Sequence, residues 1–226
     1  MRIKALGAAA VLLVSGAAQA GDSAHPTVVE LFQSQGCSSC PPANANVMAL
    51  SDRPDVLTLS LGVTYWDYLG WKDTFASPQY TDRQRDYARA FHRRDVFTPE
   101  VVVNGREDVV GTDRAELEAL IKRSARTSEP DITLTPGAVT VGAGGAQAAQ
   151  VWLVRYDPNI VQVPVTRGEN SGVTLPHRNV VHELVKLGDW NGKEASYAIP
   201  SSPNKEWRAA FLLQQGPGGP IIAAAR

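Results

Sequence analysis

The sequence predicts an α/β fold in which a strand–helix–strand unit with a helical insertion is followed by an antiparallel, β-rich, sandwich-like region. A β-branched and aromatic run at 27–32 precedes apolar residues at helical spacing, Ala43, Val47 and Leu50, and then a second apolar run at 55–63. Beyond 129 the pattern changes to short runs separated by glycine, proline and asparagine turns. The only two cysteines, Cys37 and Cys40, stand at the first strand-to-helix junction.

Composition bounds the possibilities. The chain has 226 residues and a formal net charge of −1, which excludes the basic footprint of a nucleic-acid binder. The first twenty residues read as a cleaved leader, with Arg2 and Lys4 before a short apolar run over 5–16. Ala18-Gln19-Ala20 is a small-residue cleavage site that leaves Gly21 as the mature N-terminus. That run is too short to span a bilayer, no cysteine stands at the cleavage point itself, and no later segment is apolar enough to cross. The expected division is a leader over 1–20, a first domain over 21–128 with an insertion over about 64–96, and a β-rich region over 129–226. The expected location is periplasmic or secreted, where disulfides persist.

The elements follow in order. The first strand delivers the chain to Gly36-Cys37-Ser38-Ser39-Cys40-Pro41-Pro42, and the two prolines fit a first helical turn. A helix N-terminus favours a thiolate, so Cys37 reads as a nucleophile and Cys40, one turn on, as the resolving thiol. The alternatives are a structural disulfide or half of a zinc site, although no second cysteine pair exists to complete the latter. The run at 55–63 reads as a parallel second strand. The insertion carries Tyr65, Trp66, Asp67 and Trp71, and its aromatics either pack as core or form an apolar lip for unfolded substrates. Ser77-Pro78 caps a helix with Tyr80, Tyr87 and Phe91 on one face, and its Arg83, Arg85 and Arg89 read as solvated. Thr98-Pro99 opens a strand, Asn104-Gly105 turns a hairpin, and Thr112 or Asp113 caps a closing helix with Glu116 completing a capping box. Further on, strands are expected over 132–135, 148–156 and 160–166, a strand pair over roughly 178–187, and a last hairpin of 207–214 and 221–225. His177 and His182 read as surface or packed residues, and Arg167, Glu169 and Asn170 as a turn or as groups facing the redox pair.

This order resembles the thioredoxin fold. The resemblance implies that Pro99 is cis and faces the disulfide, with Thr98 before it contacting substrate. It also implies a buried acid in the first strand, a role for Glu30 in moving the proton of Cys40. The run over 29–43 together with Tyr65-Trp66-Asp67-Tyr68-Leu69-Gly70-Trp71 resembles a bacterial family of secreted thioredoxin-like proteins of unknown function. Gly36 stands where thioredoxin has tryptophan, and Ser38-Ser39 replaces its Gly-Pro.

The leading expectation is an exported thiol:disulfide oxidoreductase, with no cofactor and no metal. It acts as a monomer on protein thiols and disulfides, with a membrane protein as possible redox partner. One alternative is a Cu(I) carrier using both thiolates and His92. Another is a non-catalytic thioredoxin-fold binding module.

Overall fold

β1 (Thr27–Gln33) and β2 (Val56–Gly62) pair in parallel, from Thr27 opposite Val56 to Gln33 opposite Gly62, and α1 (Cys40–Met48) connects them. The structure, a computed structural model, describes residues 22–124, 130–145 and 147–226. The leader expected over 1–20 and the boundary expected at 128/129 lie outside the described residues. β1 and β2 are buried at every position, as continuous apolar runs covered on both faces require.

Local signals place the next elements. α2 (Pro78–Ala90) begins with proline at its first position, and the Ser77 hydroxyl accepts from Gln79 N at 3.3 Å. β3 (Glu100–Val103) and β4 (Glu107–Val110) form the expected hairpin. Asn104 and Gly105 adopt φ of 49° and 60°, the two left-handed positions of a type I′ turn. A side chain at Gly105 would also collide with the Gly219 carbonyl, 2.5 Å from the Cβ position. α3 (Arg114–Arg123) starts on Asp113, whose carboxylate accepts from Glu116 N at 2.9 Å.

The remaining strands are β5 (Ile132–Thr135), β6 (Ala138–Val141), β7 (Ala149–Asp157), β8 (Val161–Pro164), β9 (Thr174–His177), β10 (Val180–Trp190), β11 (Ala195–Ala198), β12 (Arg208–Gln214) and β13 (Ile221–Ala225). The region beyond residue 129 does not form the expected separate sandwich. Four of these strands extend the first sheet, giving one eight-stranded order, β13-β12-β7-β10-β2-β1-β3-β4. The physical reason is the edge of β2, a strand buried on both faces whose open ladder needs a partner. β10 supplies it in parallel at Val180 opposite Ser60. Ser60 N donates to Asn179 O at 2.9 Å, and Asn179 Nδ2 donates to Thr58 Oγ1 at 2.6 Å. Face-to-face packing of sheets does occur: the three-stranded sheet β11-β6-β5 places Val139 and Val141 in one apolar cluster with Val151, Leu153, Phe211 and Leu213.

The helices divide the faces at the β1 end. Val29, Leu31, Val101 and Val103 pack with Ala43 and Val47 of α1 and Leu117 and Leu120 of α3. Val28, Phe32 and Val102 face the other way, toward Tyr80 and Tyr87 of α2. β8 and β9 form a separate two-stranded ribbon beside the Cys37–Cys40 turn.

Candidate redox site

The site begins where β1 ends. Cys37 N donates to Ser34 O at 3.1 Å, and Cys40 N donates to Cys37 O at 3.2 Å, winding 34–40 into successive turns. Cys40 is the first residue of α1, after Ser39 at the N-cap. Pro41 and Pro42 follow, in positions where a missing N–H costs nothing. Cys37 and Cys40 are joined as a disulfide with their Cα atoms 5.4 Å apart. They are 0% and 1% exposed, so both sulfurs are covered.

A strap over residues 166–173, between β8 and β9, lies against the motif. Asn170 Nδ2 donates to Gln35 O at 2.9 Å and to Cys37 O at 2.8 Å. Glu169 Oε2 accepts from Ser38 N at 2.9 Å and from Ser38 Oγ at 2.7 Å, and these bonds hold its carboxyl below the usual carboxylate range. Gly168, at φ 77°, allows the close approach: its Cβ position is 3.6 Å from Gly36 Cα. Val163, Val165 and Leu175 anchor the strap's ribbon on Trp71 and Phe75. Of the three turn residues, Asn170 bonds the Cys37 carbonyl and Glu169 bonds Ser38 between the cysteines, while the Arg167 stem runs past Gly70.

Donors converge on Cys37. Trp66 Nε1 donates to Thr98 Oγ1 at 2.7 Å, and Thr98 Oγ1 donates to Cys37 Sγ at 3.4 Å. An indole N–H can only donate, so it leaves the threonine hydrogen free to point at sulfur. Ser39 Oγ is 3.2 Å from the same sulfur. Pro99 follows Thr98 through a cis bond and is buried. Thr98 and Trp66, expected to meet substrate, are therefore bound into the surroundings of the Cys37 sulfur. The other aromatics are tied in as well: Trp71 Nε1 donates to Gln35 Oε1 at 2.9 Å, and Tyr65 OH donates to Gln84 Oε1 at 3.2 Å. Burial pushes the Tyr65 phenol up to about 12. Tyr68, at 78% exposure, is the open aromatic of the insertion.

The acids are placed differently from expectation. Glu30 lies on the α2 side of β1, away from α1 and Cys40, and accepts from Arg83 Nε at 2.7 Å, Arg83 Nη2 at 3.1 Å and Tyr87 OH at 2.5 Å. Among the described residues no hydrogen bond joins it to either cysteine. Arg83 is accordingly buried rather than solvated; burial opposes its charge most, but Glu30 together with Tyr87 and Asp86 outweighs that and raises its pKa. Asp67 accepts from Asp73 N at 3.2 Å. It is Asp73 that supports the motif, accepting from Gln35 N at 2.6 Å and Phe75 N at 2.8 Å, with burial raising its carboxyl. Glu100, next to Pro99, is lifted to about 7 by burial, although Gln84 Nε2 donates to it at 2.7 Å.

On the Cys40 side a cavity of about 210 Å³ is lined by Cys40, Pro41, Met48, Leu175 and His177, among others. Gln33 Nε2 lies 2.7 Å from Ser60 Oγ and 3.1 Å from His177 Nδ1. His177 Nε2 is buried without a hydrogen-bond partner, and burial holds the ring's pKa down to about 4. His182 stacks on Trp207 at 4.3 Å. Gln33, Asp73, Glu100 and the nearness of His177 to Cys40 escaped the sequence reading. Their available signal was a polar residue set inside or beside an apolar run, as at Phe32-Gln33 and Glu100-Val101.

His92, the residue a Cu(I) site would recruit, ends α2 in a left-handed conformation at φ 57°. No group of three His, Cys, Asp or Glu side chains among the described residues is arranged to hold a metal. No helix among them is long and apolar enough to cross a membrane.

The chain is similar to the crystal structure of protein AGR_C_4864 from Agrobacterium tumefaciens, at 32% identity and a TM-score of 0.72, over 92% of this chain and 95% of that one. HBP35 of Porphyromonas gingivalis shares the fold at 13% identity and a TM-score of 0.55, over 91% of this chain and 75% of that one. No curated protein matches. The family described as Protein of unknown function (DUF1223) matches residues 28–214, and the chain belongs to it.

Proposed function

We propose that this chain is an exported thiol:disulfide oxidoreductase of thioredoxin type, exchanging disulfides with protein thiols through Cys37 and Cys40. The observation that carries the reading is the asymmetry of the pair. The Trp66–Thr98 donor chain ends on Cys37 Sγ, with Ser39 Oγ beside it, and among the described residues Cys40 Sγ has no such donor. A purely structural disulfide has no use for hydroxyl donors on one sulfur. A nucleophile does, because hydrogen bonds to the ionised form lower its pKa.

In the reduced protein the Cys37 thiolate attacks a substrate disulfide, forming a mixed disulfide and expelling one substrate thiolate. Cys40 then loses its proton and attacks Cys37 Sγ, which releases the second substrate thiolate and closes the Cys37–Cys40 bond. Two electrons pass to the substrate; the reverse sequence oxidises a dithiol. Glu30 serves in this scheme as the buried counter-ion that holds α2 to β1, not as the proton carrier. The unit over 21–128 supplies the catalytic turn, and the region over 129–226 supplies the strap.

Cys40→Ser tests the assignment. A disulfide-bonded peptide should be trapped on Cys37 as a stable mixed disulfide, detected by mass, whereas Cys37→Ser should trap far less. Equal trapping by both variants, or none by either, contradicts the assignment.

A further inference from the structure

The strap brings a carboxylate to the motif that the exchange chemistry does not require. Glu169 takes both the backbone N–H and the hydroxyl of Ser38, directly after Cys37. The Ser38 N–H lies just outside the start of α1, where a thiolate at Cys37 would otherwise be the anion to benefit. The first turn of α1 carries no acid of its own, so Glu169 is a negative charge delivered from 131 residues away in sequence. Among the described residues no cation pairs with it. The other charged or titratable groups around the motif are Arg167 against Gly70, Asp67 and Asp73 below Gln35, and His177 on the Cys40 side.

We infer that Glu169 is a positioning residue that sets the reduction potential of the Cys37–Cys40 pair, holding it toward the disulfide while the strap is docked. The inference rests on the redox reading above. Reduction by a dithiol donor adds two electrons and breaks the Cys37–Cys40 bond. The donor's sulfurs join to each other, one of its protons goes to Cys40, and the other goes to solvent when Cys37 stays ionised. The product then sets a thiolate beside the Glu169 carboxylate, and both compete for the same N–H. Their repulsion disfavours the reduced, docked state and leaves the disulfide, which carries no charge, untouched. By linkage, reduction must weaken docking of the strap as much as docking disfavours reduction. Asn170, bonded to the Gln35 and Cys37 carbonyls, holds the strap by contacts indifferent to charge.

Glu169→Gln removes the charge while retaining an oxygen acceptor, at an exposed position where folding is not at risk. In the full chain equilibrated with glutathione, the variant should shift the equilibrium toward the dithiol by about tenfold, ~30 mV for a two-electron couple. The Cys37 thiolate pKa, read from the pH profile of alkylation, should fall by about one unit. If the wild-type pair titrates but the variant matches it in potential and pKa, the inference is overturned and the redox reading stands. If the native wild-type pair does not exchange at all, the redox reading falls and the inference with it.

Discussion

The Thr98 hydroxyl links an indole to the Cys37 sulfur, and its direction is set by Trp66, which can only donate. Thr98→Val keeps the β-branched shape and deletes the donor. A hydrogen bond to a charged group contributes about 1.5 kcal/mol or more, so the Cys37 pKa in the reduced protein should rise by about one unit. The alkylation rate of Cys37 against pH measures this, and an unmoved midpoint would contradict the relay. The placement of Cys37 and Cys40 was legible in the sequence, because an apolar strand run and a helical pattern bracket the pair. Glu30 was legible as a buried acid but not in its partner. Arg83 lies 53 residues away on a helix whose arginines look solvated when read alone, and only the packing of α2 on β1 brings the two charges together.

Glu100 on β3 and His177 on β9 are buried titratable groups with opposite consequences. Burial lifts the Glu100 carboxyl from 4.5 to about 7. Below pH 4.5 both folded and unfolded chains are protonated and nothing is lost. As pH rises from 4.5 to 7 the unfolded chain ionises first, and stability falls by about 3 kcal/mol. Burial lowers His177 from 6.5 to about 4, so stability falls as pH drops through that window, because the unfolded chain takes up the proton first. The two effects offset one another between about pH 4.5 and 6.5. Glu100→Gln should remove the first alone. The stability difference between variant and wild type should therefore grow in the variant's favour from pH 4.5 to 7, as read from urea unfolding at several pH values. A difference independent of pH would contradict the burial assigned to Glu100. The elements that hold these groups were themselves readable where capping and turn chemistry is local: Ser77-Pro78 before α2, Asp113 with Glu116 at α3, Asn104-Gly105 between β3 and β4. The short strands β6, β9 and β11 were not, because four residues carry little periodicity and Pro176 within β9 reads as a breaker.

Across the molecule the decisive feature is the continuity of the sheet. Period-two runs announce strands, but nothing within β10 says that its start will pair with Ser60 of β2 rather than with a sheet of its own. That pairing brings the second half of the chain beside the first, and the strap between β8 and β9 then reaches Gln35, Cys37 and Ser38. Thus the cysteine pair was readable from a seven-residue motif, while its covering and its neighbouring charge depended on contacts more than a hundred residues apart. We propose that the covered Cys37–Cys40 pair is a working redox couple. Its most direct test is to equilibrate the native protein in graded glutathione or dithiothreitol buffers, block free thiols, and count them by mass. A working redox couple gives a reversible two-electron titration in which both thiols appear together while the fold is retained. A pair that stays oxidised in every native buffer and yields its thiols only on unfolding would contradict it and leave the disulfide a structural one.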